Sequence, residues 1–490
     1  MKKDISSHIP PEVIFITQTL KNAGFEAYLI GGCVRDLLRG KNPHDWDITT
    51  DGLPEEVQAL FPHTYYENDF GTVGIVSDET EDKSVKNIEV TTYRIEATYS
   101  NNRHPDIVTF SKNIEDDLKR RDFTINAIAY DVQKDTYVDP YKGQDDIKDK
   151  ILQTVGNAQD RFKEDALRMM RAIRLSCETD FEISRETQEA IQNMAQNLAT
   201  ISTERIRDEF IRIVDSEKPM YGILLAQKLG VLPFISPELE KAKGVEQDRS
   251  HQYDVYEHLL RSLQHASDKG YPLHVKLAAL FHDISKPESR RQGNGHYTFY
   301  GHEVTGAKVT RRIMERLKFP KEISEKVVTL VRWHMFFSDP EQISLSAVRR
   351  MINNVGKELI WDLMYVRICD RIGTGRPKEQ PYRFRKYQAM IEEVMNDPVS
   401  VGMLKIDGKR IMTVTRENPG PKIGLILHTL LDDVLEDPSK NTEEYLENKA
   451  KELATVSIET LKELGERGKK AKETAQDEKV KNIRQKHHVE

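Results

Sequence analysis

The sequence predicts an α+β protein, with a small mixed α/β head in the first 150 residues and an all-helical remainder. Three observations carry this. Short apolar runs alternate with helical segments up to about residue 150, the 3.6-residue period dominates beyond it, and residues 251–375 form a helical stretch rich in histidine. In the head, Ala27 to Ile30 read as a strand, Gly31-Gly32 break it, and CVRDLLRG reads as a short helix. Asp45-Trp46-Asp47-Ile48 read as the next strand, and Gly52-Leu53-Pro54 turn into a helix over Glu55 to Leu60. Val73 to Ser77, Ile88 to Tyr93 and Ala127 to Tyr130 have strand character. There are too few β-α-β repeats for a long doubly wound sheet. Leu167, Met170, Ile173 and Leu175 mark one face of a helix starting near Arg161, and Ile206, Phe210, Ile213 and Val214 mark another. The last ~30 residues are nearly all polar and read as a solvated helix fraying into a tail. The expected divisions are a head (1–150), a neck (151–245), a histidine-rich domain (246–385) and a tail (386–490).

At 490 residues the chain has room for about three domains. Lys and Arg number 73 against 80 Asp and Glu, for a formal net charge of -7. That excludes a histone-like polycation but leaves room for a local basic cleft. Cys33, Cys177 and Cys369 lie far apart without a CxxC pair. They make neither a disulfide framework nor a zinc ribbon, and they fit a reducing compartment. The first residues hold no apolar core of a signal peptide, and no run of about 18 apolar residues occurs anywhere. The expected location is the cytoplasm, with no membrane partner.

The segment GGCVRDLLRGKNPHDWDITT (31–50) concentrates the first chemistry. Asp45 and Asp47, two apart on a predicted strand, leave the same face and can bridge two Mg2+ ions. Paired metals stabilise the attacking and leaving oxygens of a phosphoryl transfer. Gly31 and Gly32 let backbone amides approach a phosphate, and Arg35 on the following helix can meet the same anion. Glu89 is a candidate third carboxylate. A lone D-x-D pair or a lone Gly-Gly turn is most often surface decoration; the two together, about 13 residues apart, favour phosphoryl or nucleotidyl transfer. LKRRDFTINAI (118–128) adds Arg120, Arg121, Asp122 and Asn126. The basic pair suits a triphosphate, and Asp122 with Asn126 suits either a ribose or an ordered loop. Read alone, RRD is a salt-bridged helix start.

These segments, with EVTTYRIEATYSNNRHPDIVTF, DPYKGQDDI and RFKEDALRMMRAIRL, occur in an order that resembles the class II CCA-adding tRNA nucleotidyltransferases and the related bacterial poly(A) polymerases. The resemblance covers about residues 20–215, and PGPKIGLILHTLLDDVLEDPSKNT (419–442) resembles their C-terminal part. It implies addition of C, C and A to the 3′ end of tRNA from CTP and ATP. Residues Glu89 to Phe110, with Arg94, Arg103 and Pro105, look like the complete flexible loop of the family, which argues against a CC-only enzyme.

Glu164, Asp165 and Arg168 share a predicted helix. Glu164 can hold the Arg168 guanidinium at i, i+4, while Asp165 offers an acceptor beside the Arg168 donors. Cytosine and adenine each show an amine beside a ring nitrogen, so this pair can accept from one and donate to the other. Guanine and uracil present a carbonyl there and oppose the Asp. Alone, E-D-x-x-R is an ordinary helix salt bridge; its similarity to the family's nucleotide-reading motif raises it to a base reader. Arg171 and Arg174 on the neck, with the C-terminal region, are expected to track the tRNA acceptor backbone.

In the histidine-rich stretch, His258, His282, Asp283 and Asp370 form an H…HD…D pattern that suits a divalent transition metal such as Mn, Co, Ni or Fe. His302 and His334 can complete a second metal site or bind phosphate, and Lys286 can contact phosphate. Isolated histidines on amphipathic helices are usually packed or solvent-facing, but the ordered set resembles the HD phosphohydrolase superfamily. That resemblance implies metal-activated water acting on a phosphate ester, with a purely structural HD fold as the alternative. Three rivals to CCA addition stand beside it. One is an A-adding enzyme or poly(A) polymerase. Another is an HD nucleotide phosphohydrolase with a nucleotide-sensing head. The third is a non-catalytic RNA-binding protein, which both aspartates argue against.

Overall fold

The structure is a computed structural model that describes residues 5–68, 71–77, 80–97, 107–247, 252–293, 296–336, 343–395, 404–464 and 480–489. The loop residues Arg103 and Pro105 lie outside the described residues. The chain divides into two compact units, Met1–His334 with Tyr365–Pro377, and Met335–Met364 with Lys378–Glu490.

The first unit opens with α1 (Pro11–Asn22), β1 (Ala27–Ile30), α2 (Gly32–Arg39), β2 (Asp47–Thr50) and α3 (Pro54–Leu60). Then come β3 (Thr64–Asn68), β4 (Thr72–Val76), β5 (Asn87–Thr92), β6 (Arg94–Ala97), β7 (Ile107–Phe110), α4 (Ile114–Lys119), β8 (Ala129–Asp131) and β9 (Thr136–Val138). α1 forms because Val13, Ile16 and Leu20 recur at helical spacing behind a proline at its first turn, and all three are buried. Its apolar stripe covers a seven-stranded sheet in the order β3-β4-β5-β2-β1-β8-β9. Only β2 and β5 run parallel; every other adjacent pair is antiparallel. Their register sets Asp47 beside Glu89 and Ile48 beside Val90. Successive side chains alternate faces, so Ile48 and Val90 enter the core while Asp47 and Glu89 share the other face. One expectation fails here: β2 starts at Asp47, not Asp45. Asp45 sits in the bend that follows Pro43, before the buried Trp46 leads the chain into the ladder.

The next segment holds α5 (Gly143–Asp149), β10 (Ile151–Leu152), α6 (Ala158–Glu164), α7 (Arg168–Thr179), β11 (Glu182–Ile183), α8 (Arg185–Met194), α9 (Thr203–Asp215), α10 (Pro219–Lys228), α11 (Leu232–Ile235) and α12 (Pro237–Lys241). The helix expected from Arg161 through Leu175 is in fact two helices. Asp165 adopts an extended backbone with φ of -143° that closes α6. Its side chain accepts from the Leu167 amide at 3.0 Å and its carbonyl from the Arg168 amide at 3.1 Å, which starts α7. Aspartate competes with helical hydrogen bonding in this way, and the apolar period did not register it. α7 is buried along most of its length, from Met169 to Cys177, against α9 and α10.

The histidine-rich part contributes α13 (Val255–Asp268), α14 (Leu273–Phe281), α15 (Lys286–Ser289), the hairpin β12 (Arg291–Gly293) and β13 (His296–Thr298), α16 (His302–Arg316) and α17 (Lys321–Trp333). α14 is buried from Val275 to Phe281, and its end delivers His282 and Asp283 into a bundle with α13, α16 and α17.

The second unit takes in α18 (Leu345–Val355) and the start of α19 (Ile360–Gly373), whose last turns carry Asp370 in the first unit. The second unit continues with α20 (Tyr382–Met395), α21 (Gly408–Thr415), α22 (Pro421–Glu436) and α23 (Glu443–Ala454). Ile411, Ile426, Leu430, Leu446 and Leu453 form a core of its own. Residues 480–486 are helical and mostly exposed, as the reading of a solvated helix has it, but several of their side chains are paired. Arg484 pairs with Glu393 at 3.0 Å, Lys486 with Glu392 at 2.8 Å and His487 with Glu392 at 2.6 Å. Polar residues here serve as partners for the acidic edge of α20. Among the described residues no helix is long and apolar enough to cross a membrane.

Candidate active site and metal centre

After β1 comes Gly31, whose φ of 81° lies in the left-handed region that favours glycine, and α2 begins at Gly32. A Cβ on Gly31 would stand 3.1 Å from Arg121 Nη1 and 3.3 Å from Asp47 Oδ2, so the turn, the carboxylate and the guanidinium converge. Cys33, one step further, is buried. Burial, then the charge of Asp47 and, more weakly, that of Asp45 push its thiol up to about 12. Arg121 Nη2 donates to the buried Asp117 at 3.3 Å, while its Nε is buried with no hydrogen-bond partner among the described residues. Sequence reasoning missed Asp117, which also takes Arg120 at 2.7 and 2.9 Å and thereby aims both arginines. The i, i+3 and i, i+4 spacing of Asp117 to RR was the available signal.

Arg35 lies over this corner, its Nη2 3.6 Å from the position of a Cβ on Gly32. It donates to Asn126 Oδ1 at 2.9 Å. Asn126 Nδ2 in turn donates to Asp122 Oδ1 at 3.1 Å, and Asp122 Oδ2 accepts from Arg171 Nε at 2.8 Å and Nη2 at 2.6 Å. Burial would raise the Asp122 carboxyl, but the charges of Arg171 and Arg168 outweigh it and hold the pKa well below the usual range. Both Asp122 oxygens are thus engaged, Oδ1 by the Phe123 amide and Asn126 and Oδ2 by Arg171.

At the break between α6 and α7, Arg168 Nη1 donates to Glu164 at 2.9 Å and Nη2 to the Arg120 carbonyl at 2.9 Å. Asp165 receives Arg205 of α9 at 2.6 and 3.3 Å. Arg205 was not found from sequence, because its partner lies 40 residues away with no local pattern between them. Arg174 is a correction. It is 3% exposed, with Nε on Glu209 at 2.6 Å and Nη1 on Glu178 at 3.1 Å, so it faces a buried acidic pocket and not RNA. Its helix turns that face inward against α9, where a free guanidinium would be costly and Glu209 neutralises it.

The second centre is compact. His258 Nε2 stands 2.9 Å from His282 Nε2 and 3.2 Å from Asp283 Oδ2, with Asp370 Oδ1 at 3.5 Å. On the other side His302 Nε2 is 3.1 Å and His334 Nε2 3.5 Å from Asp283 Oδ1. Asp283 therefore belongs to two triads, His258-His282-Asp283 and Asp283-His302-His334, all buried. The Nδ1 atoms of His282, His302 and His334 lie 2.9, 2.6 and 2.7 Å from the carbonyls of Ala279, Phe299 and Val331. Such bonds place the proton on Nδ1 and leave Nε2 inward as a ligand atom, so the donor set fits divalent metal. Burial drives His334 down to about 4, whereas at His282 burial is outweighed by Asp283 and Asp370, which lift it to about 10. Lys286 Nζ rests on Asp283 and on Gln247, each at 2.6 Å.

Residues 27–153 match the poly A polymerase head domain family. Beyond the poly A polymerase head, residues 180–243 match the family described as "Probable RNA and SrmB- binding site of polymerase A" and residues 255–374 match the HD domain. The CCA-adding enzyme of Leuconostoc mesenteroides is 40% identical over 257 residues, which are 51% of this chain and 62% of that protein. The CCA-adding enzyme of Geobacillus kaustophilus is 44% identical over 226 residues, 46% of this chain and 53% of that one. The chain thus spans about half to three-fifths of the length of the curated relatives it matches. Among solved structures, the Bacillus stearothermophilus CCA-adding enzyme in complex with CTP superposes with a TM-score of 0.61 at 26% identity, covering 91% of this chain and 98% of that one. The Thermotoga maritima CCA-adding enzyme complexed with tRNA shares the fold, with a TM-score of 0.51 at 19% identity, over 92% of this chain and 97% of its own.

Proposed function

We propose that this chain adds C, C and A to the 3′ end of tRNA from CTP and ATP, without a nucleic-acid template. The convergence of Gly31, Asp47 and Arg121 at one corner carries the reading. Asp45 and Asp47, with Glu89 paired to Asp47 in register, would hold Mg2+, which supplies activation of the 3′-hydroxyl and neutralises the leaving pyrophosphate. The 3′-hydroxyl oxygen bonds to the α-phosphorus, its proton passes to solvent, and the bond from the α-phosphorus to the bridging oxygen breaks, so that pyrophosphate leaves. Gly31 and Gly32 let backbone approach the triphosphate, and Arg121 and Arg35 hold it. The unpartnered Arg121 Nε fits an anion there. Asn126 and Asp122 keep Arg35 and the loop in place. Asp165 and Arg168 read the amine and ring nitrogen of C or A. Glu164 and Arg205 orient the two readers.

In this reading the head runs over residues 1–150, the neck over 151–245, the HD domain over 246–385 and a tRNA-binding tail over 386–490, acting in the cytoplasm. The HD domain is a second, metal-dependent phosphohydrolase centre. His258, His282 and Asp283, with Asp370 beside them, would hold one transition metal (Mn, Co, Ni or Fe), and Asp283, His302 and His334 would hold a second. The test is incubation of the protein with tRNA lacking its 3′ end, with CTP and ATP singly and together. CTP left unused while ATP gives long tails would replace this reading with a poly(A) polymerase. A single A added only to ends that already carry CC would replace it with an A-adding enzyme.

A further inference from the structure

Arg35 and Asp36 share one turn of α2 and Arg39 follows on the next, and their contacts leave the helix in both directions. Asp36 accepts from Arg35 Nε at 3.0 Å and Nη2 at 2.8 Å, a two-pronged grip, and from Arg39 Nη1 at 3.1 Å. Arg39 Nη2 donates to the Thr179 carbonyl at 2.9 Å, the last residue of α7. The terminal carbonyls of a helix lack intrahelical donors and form its negative pole, so a guanidinium is favoured there. The Phe181 ring lies 5.4 Å from the same guanidinium. From Arg35 the other direction runs through Asn126 and Asp122 to Arg171, which is again on α7. The contacts therefore form a circuit: Arg171, Asp122, Asn126, Arg35, Asp36, Arg39, and back to α7 at Thr179. Arg35, Asp36 and Arg39 are only 12%, 16% and 12% exposed, so the circuit is shielded from solvent along α2.

We propose that Arg39 is a positioning residue for nucleotide binding. It anchors α2 to the C-terminal end of α7 and, through Asp36, fixes the Arg35 guanidinium over the Gly31–Gly32 turn. α7 starts at Arg168, so one rigid helix sets both the phosphate-side Arg35 and the base-reading Arg168. The inference rests on the nucleotidyl-transfer reading of this corner. Its signature differs from that of a base reader: loss of Arg39 weakens CTP and ATP alike and leaves the choice of base untouched.

The experiment compares wild type with Arg39→Ala, Arg39→Lys, Arg35→Ala and the Arg35→Ala/Arg39→Ala double variant in single-nucleotide addition to tRNA lacking its 3′ end. Arg39→Ala is expected to raise KM for CTP and ATP by the same factor, about tenfold, with a smaller change in kcat. Arg39→Lys, which cannot serve Asp36 and Thr179 in a planar fork, recovers only part. The double variant is expected to be no worse than Arg35→Ala alone. Amide hydrogen exchange over Gly31–Arg35, read without nucleotide, is expected to speed up in Arg39→Ala while exchange in the HD helices stays as in wild type. Additive effects of the two substitutions, or unchanged exchange over Gly31–Arg35, would overturn the relay. A global rise in exchange would make Arg39 a plain fold contact and also overturn it. Wild type that adds no nucleotide would overturn the underlying function reading instead, a result distinguishable from the other outcomes.

Discussion

Arg205 clasps Asp165 through both terminal nitrogens, Nη2 to Oδ2 at 2.6 Å and Nη1 to Oδ1 at 3.3 Å. The pair fixes the plane of a carboxylate that stands at the joint of two helices. With Leu167 also donating to Oδ1, an acceptor position on Oδ2 is left for an incoming amine. Arg205→Ala should let Asp165 pivot. Incorporation of UTP relative to CTP is expected to rise about tenfold, equivalent to ~1.4 kcal/mol of lost discrimination. Separate assays with each of the four nucleotides check this. Arg168→Ala should relax base choice further still while tRNA affinity changes little.

Asp47 stands at the meeting point of the glycine turn, Arg121 and Glu89. Asp47→Ala is expected to reduce nucleotide addition by about 10^3-fold or more, the several kcal/mol that metal-stabilised charge contributes. Circular dichroism should show the fold retained. Phosphate-ester hydrolysis as the main activity, left intact in this variant, would favour the HD hydrolase with a sensing head.

Because Asp283 lies in both histidine triads, metal stoichiometry should report their sharing. After loading with Mn and dialysis, elemental analysis is expected to find about two more ions per chain in wild type than in Asp283→Ala, and about one more in His334→Ala than in Asp283→Ala. Addition of C and A should continue in both variants. Equal metal loss in the two would show that the triads do not load separately.

Asp122 links head and neck through Arg171, and its carboxyl titrates well below the ordinary value. A depressed carboxyl stabilises the fold fully above the unfolded value near pH 4, and that contribution is lost as pH falls toward the folded value. Asp122→Asn should therefore cost about 2 kcal/mol at pH 7, a buried-pair loss discounted because Arg171 is partly exposed. Urea midpoints from pH 7 downward are expected to show wild type and variant converging below pH 4.

Which parts were legible follows from how local each signal is. β1, α2 and the α9 face were readable because their apolar spacing is short-range, and the histidines and Asp283 that the bundle brings together were singled out by their order along the chain. The α6–α7 break was not, since Asp165 ends one helix by bonding two residues ahead, which leaves the apolar period intact. The burial of Arg174 depends on Glu209 of another helix, and the grip of Arg205 on a carboxylate 40 residues away; neither partner has a local mark. The start of β2 at Asp47 was set by pairing with β5, which a strand's own residues do not encode.

That parallel pairing also limits how this chain can change its length. Asp47 and Glu89 face the same way only because one rung of the ladder joins them, and each added rung reverses direction. A single-residue insertion within β2 or β5 turns one carboxylate into the sheet's apolar side, whereas the same insertion in the Gly40–Pro43 connection leaves the rung whole. Tolerance to insertion should accordingly switch from high to nil within a few positions, and a drift in loop length upstream of Asp45 is the cheapest route by which relatives could diverge without losing the paired acids.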